Sequence, residues 1–212
     1  MISVAVVDDQ EMVRMGFSLI LDAEADIRVI GQASDGAEAI DLVKREQPDV
    51  VLLDIRMPRL DGLAALPRLT PYSQVIMVTT FDDDDYVDAA LAGGASGFLL
   101  KDAGADLLLA GVRAAANGDA LISPSLTLDL LRRRIAAPRS ETAHVDRLSE
   151  RETEIAKLVA VGRTNQEICA ELFISLGTVK THLGNIQMRL DARNRVEVAA
   201  RMWESGVMNS NG

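Results

Sequence analysis

The sequence predicts a two-part chain: an α/β unit on a doubly wound, five-stranded parallel sheet, then a small all-α unit of four helices. Three observations predict it. Short apolar runs alternate with amphipathic stretches through the first 120 residues, the alternation stops near Asn117, and two S/T-x-x-E signatures open helices in the last third. With 212 residues and 48% hydrophobic content, the chain can fill two ordinary cores.

Strands are expected at VAVV (4–7), IRVIGQA (27–33), DVVLLD (49–54), QVIMVT (74–79) and GFLL (97–100). Amphipathic helices are expected near 11–23, 36–46, 62–69, 84–92 and 104–117. Five βα units imply parallel strands covered on both faces, and the binding crevice of such a sheet lies at the carboxyl ends of its strands. Asp8 and Asp9 end the first run, Asp54 the third and Thr79 the fourth, while Lys101 follows the fifth. All five therefore belong to one end of the sheet. Pro67 falls in the third helix, where it must occupy the first turn or kink the helix. The acidic run at 82–85 suits a helix N-terminus and solvated surface.

A boundary is expected within 120–146, which gives limits of 1–120 for the first domain, 121–146 for the linker and 147–208 for the second domain. SPSLTLDLLRRRI (123–135) has the pattern of a short helix, and AAPRSETAHVD (136–146) that of an exposed connection. Arg132, Arg133 and Arg134 fit either plain connection or docking of the second unit, and His144 has no assigned role.

In the second domain, Ser149 with Glu152 and Thr164 with Glu167 fit the capping box. Ile155, Leu158 and Val159 mark one buried stripe, and Ile168 with Leu172 another. FIS (173–175) makes a tight break with Ser175 as N-cap, and a further helix spans 177–190. That is helix-turn-helix spacing. A last helix, 195–205, carries Val196, Ala199, Ala200 and Trp203. Cys169 lies on an apolar face and is expected in the core.

The net charge of −10 conceals two characters: residues 1–120 hold 9 Lys/Arg against 21 Asp/Glu, and residues 121–212 hold 13 against 11. Lys180, Arg189, Arg193 and Arg195 outnumber Asp191 within 175–195, so a helix in that region can face an anion. No apolar run approaches the roughly 20 residues that span a bilayer, no leader pattern opens MISVAVVDDQ, and one cysteine builds no disulfide framework. The cytoplasm is the expected compartment, with no membrane partner.

Converging carboxylates need a cation. At 4 Å and an effective dielectric near 20, each pair repels by about 4 kcal/mol, comparable with the stability of a domain. Oxygen-only ligands select a hard ion such as Mg2+, which leaves room for phosphate oxygens. Asp54 fits a carboxylate nucleophile that accepts a phosphoryl group, with Lys101, the Thr79 hydroxyl and the cation neutralising its oxygens. Phe98 sits where an aromatic can follow Thr79 inward or outward.

DD at 8 and 9, LLDIRMP around Asp54, VTT at 78–80 and GASGFLLKD at 94–102 resemble the CheY-like receiver domain of bacterial two-component response regulators. The resemblance implies phosphorylation of Asp54 by a sensor histidine kinase. It also implies Mg2+ held by Asp9, Asp54 and the Arg56 carbonyl, with Asp8 acting through water, and a Thr79 and Phe98 switch coupled to the fourth and fifth helices. LSERETEI, GRTNQEICAEL and GTVKTHLGNI resemble the LuxR-type helix-turn-helix, so the whole chain resembles the NarL/FixJ class. That implies promoter DNA contacts from Thr178, Lys180, Thr181, His182 and Arg189, base contacts falling on Lys180 and Thr181. It also implies a homodimer formed through the last helix on activation. His182 either touches DNA or packs. Gly184 stands where some relatives present a third reader, which points to shape or water readout there.

Other functions fit less well. An aspartyl phosphatase needs a second acid two residues beyond the nucleophile, where Arg56 stands. A flavodoxin-like carrier needs a phosphate-cradling loop in place of DDQEM. A regulator that binds a small signal molecule needs an aromatic pocket, against 3% aromatics here. The nearest rival is a DNA-binding regulator whose receiver is controlled without phosphorylation. No enzymatic activity is expected beyond assistance to the receiver's own phosphorylation and dephosphorylation.

Overall fold

Residues 1–80, 86–122 and 145–209 are described by a computed structural model. The expected helix start at 82–85 and the segment 123–144, with Arg132, Arg133, Arg134 and His144, lie outside the described residues. The chain divides into two compact units, Met1–Arg132 and Arg133–Gly212.

The first unit is a parallel sheet in the order β2-β1-β3-β4-β5-β6. Its strands are β1 (Ile2–Val7), β2 (Ile27–Ala33), β3 (Val50–Asp54), β4 (Gln74–Thr79), β5 (Gly97–Leu100) and β6 (Leu121–Ile122). The five expected strands are all present. The sixth is a two-residue extension that pairs in parallel with β5. Strand order runs outward from β1 in both directions, so the chain changes its winding direction between β1 and β3, where a crevice opens at the carboxyl ends.

Side chains alternate across each strand, and the register decides what meets what. Val4 and Val6 align with Val50 and Leu52, Leu52 with Ile76, and Val78 with Leu99, and together they form one buried face. Phe17 and Leu21 of α1 (Glu11–Asp22) and Leu108, Val112 and Ala115 of α5 (Ala105–Ala116) cover it. Each such buried aliphatic or aromatic side chain contributes about 1.5–3 kcal/mol. The alternate residues Val51, Leu53, Val75, Met77 and Phe98 are equally buried on the other face. There lie α2 (Gly36–Glu46), α3 (Gly62–Leu69) and α4 (Tyr86–Ala92).

Caps fix the helix ends. Asp35 accepts from the Ala37 and Glu38 amides at the start of α2, and Asp61 from the Ala64 amide at the start of α3. Pro67 is the sixth residue of the eight-residue α3, not a first-turn residue. It removes one helical bond near the C-terminus, while the Thr70 amide still closes on the Leu66 carbonyl at 3.1 Å.

The second unit holds α6 (Glu150–Ala160), α7 (Asn165–Leu172), α8 (Leu176–Leu190) and α9 (Arg195–Glu204). Both capping boxes form, each serine or threonine and its glutamate exchanging bonds with backbone amides. Ser175 caps α8, which starts one residue earlier than expected. Ile155, Val159, Ile168, Val179, Leu183, Ile186, Val198 and Met202 form the core, with half-buried Leu158, Leu172 and Cys169 packed against it. Trp203 lies half out of this core, and its indole N–H donates to the Ala160 carbonyl at 2.9 Å, tying α9 to the end of α6. Among the described residues, no helix is long and apolar enough to cross a membrane.

Candidate functional site

Strand alternation carries Asp8, Asp54 and Lys101 to the same side. Asp8 continues Val4 and Val6, Asp54 continues Val50 and Leu52, and Lys101 continues Leu99. The three meet above the carboxyl ends: Lys101 Nζ lies 2.8 Å from Asp8 Oδ2 and 3.1 Å from Asp54 Oδ1. Asp8 is 2% exposed and Asp54 4%, whereas Asp9 is exposed.

Burial raises the Asp54 pKa to about 6, and the charge of Asp8 adds to that push against the opposing pull of Lys101. For Lys101, burial disfavours the ammonium, but Asp8 and Asp54 outweigh it and raise its pKa. Lys101 is thus held as a cation between two acids. The Asp8 backbone is fixed as well, its carbonyl accepting from Arg14 Nη1 at 2.6 Å and its Oδ1 from the Gln10 amide at 2.9 Å.

One carboxylate oxygen each from Asp8, Asp9 and Asp54 lies within 4.8 Å of the others. The donors are oxygen alone, two are buried and one opens to solvent, which fits a hard divalent ion with a partly water-filled shell. Arg56, two residues past Asp54, is exposed in the β3–α3 loop.

Thr79 ends β4 on the opposite face, continuing Val75 and Met77, and Phe98 pairs with Met77 on that face. The Thr79 hydroxyl donates to the Thr80 carbonyl at 3.0 Å, and the Phe98 ring is fully buried. Of the two positions expected for the aromatic, the structure holds the inward one.

Sequence reasoning missed Gly62. A methyl group there would collide with the carbonyl oxygen of Asp54, and the Gly62 amide donates to the Ile55 carbonyl at 2.8 Å. The Asp-Gly pair at 61 and 62 was a visible turn signal, but the collision partner was not.

In the second unit, Lys180, Thr181, Gly184 and Met188 form an exposed stripe along α8 at helical spacing. The hydroxyls of its first two turns are partly occupied: Thr178 Oγ1 lies 2.8 Å from Ser175 Oγ, and Thr181 Oγ1 donates to the Gly177 carbonyl at 2.9 Å. His182 is half-buried. Its Nδ1 is buried without a hydrogen-bond partner among the described residues. Arg189 has a structural task that the sequence did not disclose. Its Nη1 donates to Glu152 Oε2 at 2.8 Å and to the Arg147 carbonyl at 3.1 Å, bracing α8 against the start of α6.

Comparison with known proteins matches both units. Residues 4–113 match the family described as Response regulator receiver domain, and residues 146–202 that of Bacterial regulatory proteins, luxR family. The chain is similar over its whole length to the transcriptional regulatory protein LiaR of Bacillus subtilis, at 38% identity over 212 residues, covering 99% of this chain and 100% of that protein. DesR of the same organism is 35% identical over 207 residues, covering 97% and 98%. Among solved structures, the response regulator ChrA of a heme-sensing two-component system aligns at 35% identity with a TM-score of 0.54, covering 96% of this chain and 97% of that one. With both family matches in this order along one chain and relatives similar over nearly its whole length, the chain belongs to the two-component response regulators that join a receiver domain to a LuxR-type helix-turn-helix DNA-binding domain.

Proposed function

We propose that this response regulator is switched by phosphorylation of Asp54 from a sensor histidine kinase, and that the phosphorylated chain dimerises and binds promoter DNA. The observation that carries the reading is the Lys101 bridge between Asp8 and Asp54 at the open end of the sheet. It sets a buried carboxylate beside a cation that can follow the charge of an incoming phosphoryl group.

In the transfer, an Asp54 oxygen forms a bond to phosphorus while the bond from phosphorus to the kinase histidine nitrogen breaks, and that nitrogen keeps the electron pair. Lys101 then shifts weight from the carboxylates to a phosphoryl oxygen. The Thr79 hydroxyl turns from the Thr80 carbonyl to a second oxygen, and the Phe98 side chain, already inward, is kept there by the space that Thr79 vacates. Mg2+ would be held by Asp9, Asp54 and the Arg56 carbonyl, with Asp8 acting through water, and when bound it offsets charge on the phosphoryl oxygens. The receiver assists only its own phosphorylation and dephosphorylation.

The same reading sets the receiver at 1–120, the linker at 121–146 and the DNA-binding domain at 147–208, in a cytoplasmic protein. The exposed stripe of α8 supports its entry into the major groove, with Lys180 and Thr181 nearest the bases and Thr178 and His182 beside them. Arg189 contributes by holding α8 in place. Dimerisation through α9 would set two half-sites about one helical turn apart.

The test is selection of genomic DNA fragments by the purified protein, with and without Mg2+ and acetyl phosphate, beside Asp54→Ala. Enrichment of a two-half-site motif that needs the donor and is lost in Asp54→Ala is the expected result. Equal enrichment in every condition would leave DNA binding intact and overturn the phosphorylation switch.

A further inference from the structure

The loop between β3 and α3 is held by charges that lie outside the Asp8, Asp54 and Lys101 group. Asp35 is fully buried, and its two oxygens face different ways. Oδ1 caps α2 through the Ala37 and Glu38 amides, at 2.7 and 3.0 Å, while Oδ2 pairs with the guanidinium of Arg59. Arg59 Nη2 also reaches Glu38 Oε1 at 2.8 Å, and Glu38 Oε2 accepts from the Ser34 amide and hydroxyl at 3.0 and 2.8 Å.

Arg59 itself is strained. Its φ is +63°, in the left-handed region, and the Leu60 amide donates to the Pro58 carbonyl across it at 2.7 Å. A bond two residues back around a positive-φ centre has the sense of the rare γ-turn, which an arginine has no local reason to adopt. The cap on α2 is already satisfied by Asp35 Oδ1, so the Oδ2 pair is not needed for it. A fully buried carboxylate requires a partner, however, and Arg59 reaches it only while the loop keeps this turn. The loop is also stitched by Gly36 N to Leu60 O at 2.9 Å and by Gly62 N to Ile55 O at 2.8 Å. Arg56 lies between those stitches.

We propose that Arg59 is a positioning residue for the Asp54 site: its ion pair with buried Asp35, shared with Glu38, holds loop 55–61 in a strained turn and so fixes the Arg56 carbonyl for Mg2+. This rests on the reading of Asp54 as a Mg2+-dependent phosphoacceptor. Arg59 acts through the loop and does not touch the reacting atoms.

The test is Mg2+ binding to the full chain by titration calorimetry, for wild type, Arg59→Gly, Arg59→Lys, Asp35→Asn and the Asp35→Asn/Arg59→Gly double variant, with circular dichroism melts alongside. Glycine accepts the positive φ without strain and asparagine keeps the cap without a buried charge, so both variants remove the clamp, and the melts record what Arg59→Gly loses by leaving Asp35 unpaired. Arg59→Gly and Asp35→Asn are each expected to weaken Mg2+ about tenfold, the scale of lost support to metal ligands. The double variant should be no weaker than either single one, and Arg59→Lys should recover part of the loss. Wild-type Mg2+ affinity in Arg59→Gly, whatever its melting temperature, would overturn the proposal alone. A wild-type chain that neither binds Mg2+ nor takes a phosphoryl group from acetyl phosphate would overturn the Asp54 reading and this inference together.

Discussion

Lys101 and Asp54 approach to 3.1 Å inside a site where Asp54 is almost wholly buried, and the same ammonium lies 2.8 Å from Asp8. One cation therefore compensates two acids that would otherwise repel each other across the crevice.

Lys101→Ala leaves both acids without that compensation. Breaking a buried charge pair by removing one partner costs about 3–5 kcal/mol, so the variant should unfold at markedly lower urea concentration in EDTA. Added Mg2+ should recover part of the loss. An unchanged midpoint in EDTA would show that the bridge carries no stability.

The raised pKa of Asp54 predicts a pH dependence. Its folded value, about 6, lies above the ordinary 3.8, so the folded state holds the proton more tightly than the unfolded chain. Its contribution is fully present below the unfolded pKa and is lost as pH rises through the folded one. Across that interval the loss is on the order of 3 kcal/mol. Asp54→Asn should therefore be more stable than wild type at pH 7 in EDTA, with the advantage shrinking toward pH 4. Denaturant titrations at several pH values measure it.

Gly62→Ala should strike at the phosphoacceptor without changing any polar group. Its methyl would run into the Asp54 carbonyl oxygen, backbone that cannot step aside as a flexible side chain can. We expect destabilisation of about 3 kcal/mol, at the upper part of the usual overpacking range, with weaker Mg2+ binding in the folded remainder. Calorimetric melts and Mg2+ titration read the two effects separately.

Lys180 and Arg189 should part company. Lys180→Ala is expected to weaken DNA binding and lower the salt slope by about one, as one phosphate or base contact disappears, with the melting temperature unchanged. Arg189→Ala removes the guanidinium beside Glu152 and should lower the stability of the second unit first. Binding isotherms across salt concentrations, with melts of both variants, distinguish the two.

Much of this was legible in the sequence because its signals are local. Continuous apolar runs gave the parallel strands, and the polar residues at the ends of the first, third, fourth and fifth runs sat at the crevice end because strand ends are fixed once the apolar residues are buried. The capping boxes at Ser149 and Thr164 were readable because their partners lie three residues away. What escaped depends on distant approach. Arg189 meets Glu152 across 37 positions, and Arg59 meets Asp35 only after α2 has packed beside the β3–α3 loop. β6 escaped because two residues, Leu121 and Ile122, are too few to carry a period. The placement of Pro67 late in α3 shows a short helix tolerating what a long one would not.

Trp203 is the single tryptophan of the chain, and it is bonded to Ala160 within the second unit. Intrinsic indole fluorescence therefore reports the DNA-binding unit alone, while the receiver contributes no tryptophan signal. A response of that emission to phosphodonor would be an optical record of the message crossing from one unit to the other, obtained without attaching any label.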